Sequence, residues 1–379
     1  MNSKREEEVL LSDAAQMQRE LEKDAGTTSI RLSVQLGIER GQRGDRQRFW
    51  NKSRSLGFAA AIIVAALLFI IPFLPRASQP AAPAPKVNWG ALQVFKDNVL
   101  YEMDVPTFES AIRNNYIQLV NQTVESGGYS ITLNAITADE NKIMYLYTAT
   151  TDDKQEIYSI NSAKMKDSAT NRYLNATSQV GGNVEVPEQQ RNHVYYGRGV
   201  VELDRTQPFP QQLEAEFRIA SVNPGKMDAP RTGTIMSEMH YSPVLKIGFT
   251  LDPKFMAYKT QIVQPNRSFT LSGHEVVISK VELSPLVIKA TIALKNPSEN
   301  SRQIRSAIFE EFFSKEILAE VHDKTISLST ISGGGSEEGY DYLFASNWLD
   351  HPESLIMAIK TGAKNNQTEL KLDIYKRGK

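Results

Sequence analysis

No cysteine occurs anywhere in the 379-residue chain. That absence excludes disulfide-stapled secreted folds, Cys-ligated zinc, iron–sulfur clusters and thiol catalysis. An excess of one charge sign is missing too: 43 Lys+Arg stand against 44 Asp+Glu, a formal net charge of −1. A chain so balanced is not built to coat nucleic acid. The five histidines, His193, His240, His274, His322 and His351, form no pair at metal-ligand spacing and no HExxH. The GxSxG elbow, the SxxK pair and the P-loop are absent as well. Gly333-Gly334-Gly335 lacks the Lys-Ser/Thr of a phosphate cradle, so residues 332–338 read as a flexible loop. Asp139-Glu140 and Asp152-Asp153 lack the spacing of a calcium loop and read as solvated turns. The sequence therefore predicts no catalytic residue, no metal and no cofactor, and a protein that is not an enzyme.

One long apolar run is present. Leu56 to Leu74, LGFAAAIIVAALLFIIPFL, has no charge and no hydrogen-bonding side chain. As a helix these 19 residues would extend ~28 Å, close to the ~30 Å hydrocarbon core of a bilayer. A buried core helix would show a polar stripe, and this segment is apolar all round. A signal peptide would carry its charged region near residue 1, whereas 55 residues precede this run. The segment reads as a transmembrane helix. Arg40, Arg43, Arg46, Arg48, Lys52 and Arg54 precede it with Asp45 as their one acid, and only Arg76 and Lys86 follow before residue 90. Basic flanks stay in the cytoplasm, so the expected location is the plasma membrane, N-terminus inside and the C-terminal part extracytoplasmic. Phe49 and Trp50 fall where an interfacial aromatic belt belongs. The basic run reads as a topology signal touching lipid rather than a nucleic-acid site, since no DNA- or RNA-binding pattern accompanies it.

The chain then divides into a cytoplasmic tail (1–55), the span (56–74), a Pro/Ala linker (75–86) and two β-rich domains (87–235 and 236–379). In the tail, Leu10, Ala14, Met17 and Leu21 share one helical face, and Ile30, Val34 and Ile38 share another. A tail this short cannot build a core of its own. Its helices either merely lead into the span or fold onto a partner or the membrane surface. The linker PRASQPAAPAPK holds four prolines and favours an extended spacer of ~37 Å.

Beyond it, Gly127-Gly128 precedes an alternating run, and ITLNAITA, Asp139-Glu140-Asn141 and KIMYLYTAT predict a hairpin, with KIMYLYT apolar on both faces. PTFESAIRNNYI (106–117) predicts a short helix before them. HEVVISKVEL, Ser284-Pro285 and LVIKATIAL repeat the strand–break–strand layout, and TELKLDIYK predicts a last strand. Residues 306–322 fit either a helix or two strands. The expected fold is mainly β: one N-terminal transmembrane helix followed by two β-sandwich-like extracytoplasmic domains, with short helices in the tail.

The tail ending in SVQLGIERGQRGDRQRFWNK, the span, the linker and YSITLNAITADENKIMYLYT resemble an uncharacterised family of bacterial single-pass membrane proteins. Many of its members are described as anti-sigma factors or are encoded beside extracytoplasmic-function sigma factors. The likeness covers about residues 30–150, and SFTLSGHEVVISKVELSPLVIKATIAL is similar to a second uncharacterised β-rich domain that often follows. The resemblance implies a membrane signal-transduction protein, an anti-sigma factor in transcription regulation. Its tail would hold a sigma factor, and its outer domains would sense or dock an unknown ligand. Zinc-type anti-sigma domains carry a His and two Cys, so this Cys-free tail would bind through the apolar faces of Leu10/Ala14/Met17/Leu21 and Ile30/Val34/Ile38. The alternative is a membrane-anchored cell-surface binding or structural module with an inert tail.

Overall fold

Gly127 and Gly128 take φ values of 63° and 81°, a two-residue turn whose twist suits a hairpin. They join β1 (Gln118–Ser126) to β2 (Tyr129–Ala138), with Ser126 opposite Tyr129. The computed structural model describes residues 87–183, 192–227, 238–271, 273–296, 308, 314–336, 339–361 and 368–378. They belong to one compact unit and are mainly β. The Leu56–Leu74 run lies outside the described residues, and among those described no helix is long and apolar enough to cross a membrane.

β2 turns at residues 139–141 into β3 (Lys142–Thr151), the hairpin that the alternation predicts. β4 (Glu156–Asp167), β5 (Arg172–Tyr173), β6 (Asn175–Asn183), β7 (Val194–Glu202), β8 (Gln212–Val222), β9 (His240–Tyr241) and β10 (Leu245–Thr250) follow. They form two antiparallel sheets, ordered β1-β2-β3-β7-β6 and β10-β8-β4-β5, with β9 on β8. The sheets share one core: Ile131, Leu133, Tyr145 and Tyr147 from the first meet Met165, Ala215, Phe217 and Ile247 from the second. The Tyr147 and Phe217 rings lie 5.0 Å apart across it.

β3 is apolar on both faces because both are covered. Tyr145 and Tyr147 enter the inter-sheet core, while Met144 and Leu146 pack under Trp89, Phe95 and Phe108. Those last three come from the short helices α1 (Gln93–Asn98) and α2 (Val105–Arg113) and the turn before them. In α2, Phe108 and Ala111 are buried three positions apart, as a helix packing one face requires. Asn115, at φ 51°, follows its end.

The remaining strands are β11 (Gln261–Val263), β12 (Arg267–Leu271), β13 (His274–Leu283), β14 (Ile288–Leu294), β15 (Ser314–Val321), β16 (Lys324–Gly335), β17 (Tyr340–Phe344), β18 (Ser354–Thr361) and β19 (Thr368–Lys376). They run β11-β13-β14-β17-β16-β15-β18-β19, with β12 also on β13. β16 turns the corner of this sheet. Its first half pairs with β15, its register shifts between Thr330 and Ser332, and its second half pairs with β17. The sheet thereby closes over one core that joins Ile278, Ile292 and Phe344 to Ile317, Leu328 and Met357.

Two expectations change and one open reading is decided. β9 and β10 pair into the first sandwich, so its strands continue past residue 236, where the sequence placed the boundary. Within 306–322, residues 314–321 form a strand, because Ile317, Ala319 and Val321 bury at period two. Gly333-Gly334-Gly335 ends β16 rather than forming a loop, with Gly333 opposite Tyr342. A Cβ at Gly333 would meet the Tyr342 ring at 2.9 Å, so the glycine makes room for an aromatic neighbour.

Candidate functional site

Lys142 opens β3, where the register with β7 sets it opposite Glu202, Met144 opposite Val200 and Leu146 opposite Arg198. Strand alternation puts all of these on the outer face of the first sheet, the face that α1 and α2 partly cover. The residues before α2, the end of β13, the β13–β14 turn and the glycine end of β16 complete a cleft of about 690 Å³. That is within the range of small-molecule sites.

Its floor is charged. Arg198, 5% exposed, donates to Asp104, 3% exposed, with Nη2 and Oδ2 2.9 Å apart. Burial raises the Asp104 carboxyl above its ordinary pKa, and Arg198 works against that rise. Two further charge pairs stand at the walls: Arg205 bonds Glu282 at 2.6 Å and Lys289 bonds Asp341 at 2.9 Å. Lys142 differs. Its backbone N–H donates to Asp139 Oδ1 at 3.0 Å, but its Nζ has no hydrogen-bond or ion-pair partner among the described residues. Arg198 Nε is likewise buried without a partner. Burial lowers the Lys142 pKa to about 8, with Asp139 and Asp104 opposing the fall.

A lysine charged against its surroundings lowers stability, and the sign is testable. Below pH 8 both the folded and unfolded chains carry the proton, and the full penalty applies. Between pH 8 and 10.5 the folded chain sheds the proton first, so stability rises by up to about 1.4 kcal/mol per pH unit. Lys142→Met should therefore be more stable than the native chain by roughly 3 kcal/mol at pH 7, with the gap closing by pH 10.5. Urea midpoints of both proteins across that range check it. A residue kept at such a cost is the usual mark of a functional position.

The cleft lies along a seam that is itself bonded. Asp139, fully buried, accepts from Asn141 N and Lys142 N through Oδ1 and from Ser284 Oγ and Leu286 N through Oδ2, all within 2.8–3.0 Å. Its partner Glu140 accepts from Thr260 N at 2.8 Å. This pair is thus a structural joint and not the solvated turn that its composition suggests, whereas Asp152 and Asp153 are exposed. On the far side of α2, Arg113 forks onto Asp350, at 3.2 and 2.5 Å. These bonds fix the two β halves against each other.

Leu10, Ala14, Met17, Leu21, Ile30, Val34 and Ile38, and the flank of Arg40, Arg43, Arg46, Arg48, Phe49, Trp50, Lys52 and Arg54, all fall outside the described residues. Asp104, Lys142, Arg198 and Glu282 were not singled out by the sequence. One signal was available: Lys142 begins a strand whose faces are both apolar, where a charge needs a reason. Among the described residues no group of three His, Asp or Glu is placed to hold a metal ion.

No protein-family model matches the chain, and no curated protein matches it. Among solved structures, the chain is similar to the crystal structure of a conserved domain protein from Bacillus anthracis. The identity is 12% and the TM-score 0.42, over 69% of this chain and 93% of that one.

Proposed function

We propose that the protein is a single-pass membrane regulator of the anti-sigma-factor kind, not an enzyme, whose outer β-rich part receives a ligand or partner. The observation that carries the reading is the cleft between the two β halves, with a buried lysine at its floor whose ammonium has no partner among the described residues. A site of that size, on a body whose halves are locked together, suits reception of a small molecule. The Leu56–Leu74 run and its basic N-terminal flank support placing this part outside the membrane. The two apolar tail faces support a grip on a cytoplasmic sigma factor.

Affinity capture tests it. The detergent-solubilised full chain should recover a sigma factor, and Leu10→Asp/Met17→Asp should reduce recovery at least tenfold. Equal recovery by both, or none by either, overturns the regulator reading. A cell-surface module with an inert tail would then remain, and deletion of residues 1–38 would leave transcription unchanged.

A further inference from the structure

We infer that the seam cleft is a binding site for a small monocarboxylate with an apolar body, its carboxylate ion-paired to Lys142 Nζ on the wall shared with Arg198. The proposal deepens the reading of the outer part as a receiver, and it depends on neither the tail nor the sigma factor.

Three observations converge on that ligand. The first is the uncommitted donor. Lys142 is 9% exposed and lines the cleft, and its Nζ has neither a hydrogen bond nor an ion pair among the described residues. The nearby carboxylates are occupied: Asp139 by four donors, Asp104 by Arg198, Glu282 by Arg205 and Asp341 by Lys289. Glu202, across the strand pair from Lys142, is exposed to water and has no ion pair within 4 Å among the described residues. A largely buried lysine whose ammonium makes no direct ion pair, with Asp139 and Asp104 acting on it only through space, is a strong place for an incoming anion.

The second is charge count. Arg198, Arg205 and Lys289 are matched by Asp104, Glu282 and Asp341 on the same walls, so Lys142 is left to offset one negative charge, and a dianion or polyphosphate would bring more charge than it can balance. The third is the wall itself. Met103, Val200, Val287 and Leu343, all partly exposed, supply apolar surface, and the Met103 thioether can adjust around an aliphatic or aromatic body.

Protonation gives the site a direction. Lys142 faces Asp104 ahead of α2, Asp139 on its own hairpin, Arg198 and Glu202 on β7, with Glu282 of β13 and Lys289 of β14 further along the walls. The ammonium pKa of about 8 in the empty site means that anion binding should weaken once the pH passes that value.

The test is isothermal titration of the full chain in nanodiscs with 3-phenylpropanoate and with its neutral amide, each corrected against empty discs. One acid molecule should bind per chain, with the amide at least tenfold weaker. Lys142→Met should weaken the acid at least tenfold, while Lys246→Gln, outside the cleft, should leave it unchanged. Raising the pH from 7 to 9.5 should weaken acid binding to the native chain at least fivefold. Equal binding of acid and amide, no loss in Lys142→Met, or no binding of the acid overturns the proposal. The pH and amide arms use the native chain, so they stand even if the variant misfolds. Failure here leaves the sigma-factor capture untouched, which separates this claim from the reading beneath it.

Discussion

Gly199→Ala should destabilise the β-rich unit by about 3 kcal/mol or more, and Gly197→Ala by a similar amount, at the upper end of what overpacking a core does. In the pairing of β3 with β7, Tyr145 lies opposite Gly199 and Tyr147 opposite Gly197. Each ring folds over its glycine, and a Cβ there would sit inside the ring's van der Waals surface. Neither ring has room to retreat. Tyr145 and Tyr147 are 1% exposed, and both contact Phe217 from the opposing sheet, at 6.3 and 5.0 Å between centroids. Urea denaturation measures the effect. Gly199→Ala combined with Tyr145→Val should recover part of the loss, because the added methyl then takes space that the ring has vacated. An additive double mutant would show that the damage lies in the strand backbone instead.

Asp139→Ala should cost about 3 kcal/mol, since it removes the acceptor of four donors and leaves the buried N–H groups of Lys142 and Leu286 without one. Two of the four, Ser284 Oγ and Leu286 N, belong to the β13–β14 turn, and Leu286 packs in the core beneath α1. The substitution therefore loosens the joint as well as the hairpin. Two-step urea unfolding should replace a single transition, as each β half unfolds on its own core. Asp139→Asn, which keeps the shape and one acceptor, should cost about half as much. It should also push the Lys142 pKa lower still, since Asp139 is the first of the charges that hold it up. Titration of the Lys142 ammonium by NMR reads that shift directly.

Much of the strand pattern was open to reading. Ile131, Leu133 and the apolar face of ITLNAITA alternate, and the two glycines before Tyr129 permit one kind of turn. The β2–β3 hairpin, the double burial of β3, α2, the β13–β14 pair and β19 all follow from such local patterns. Where context decided, the pattern fell short. Residues 314–321 carry apolar positions that fit period two as well as a helix face, and only pairing with β16 and β18 settles them. The glycines at 333–335 look like a loop because composition cannot reveal that Tyr340 and Tyr342 lie beside Gly333. β10 joins the first sandwich through β8, a partner about thirty positions earlier, which no local window reports.

The cleft was hidden for the same reason. Asp104, Lys142, Arg198 and Glu282 are far apart in the chain, and each alone is an ordinary surface residue type. They meet because α2 packs on the outer face of β3 and β7, and because Asp139 draws the second half against the first. The tail residues and the apolar run at 56–74 lie outside the described residues, so their reading rests on the sequence.

The placement of the cleft outside the cell is the claim on which reception depends, and the absence of native cysteine makes it directly measurable. A single cysteine is introduced at Asp153, exposed in the turn after β3, or at Ser33 in the tail, and intact cells are treated with a membrane-impermeant maleimide. The account predicts that Asp153→Cys is labelled on intact cells as fully as after lysis, and that Ser33→Cys is labelled only after lysis. Labelling of Asp153→Cys only after lysis, or of Ser33→Cys before it, would contradict the account.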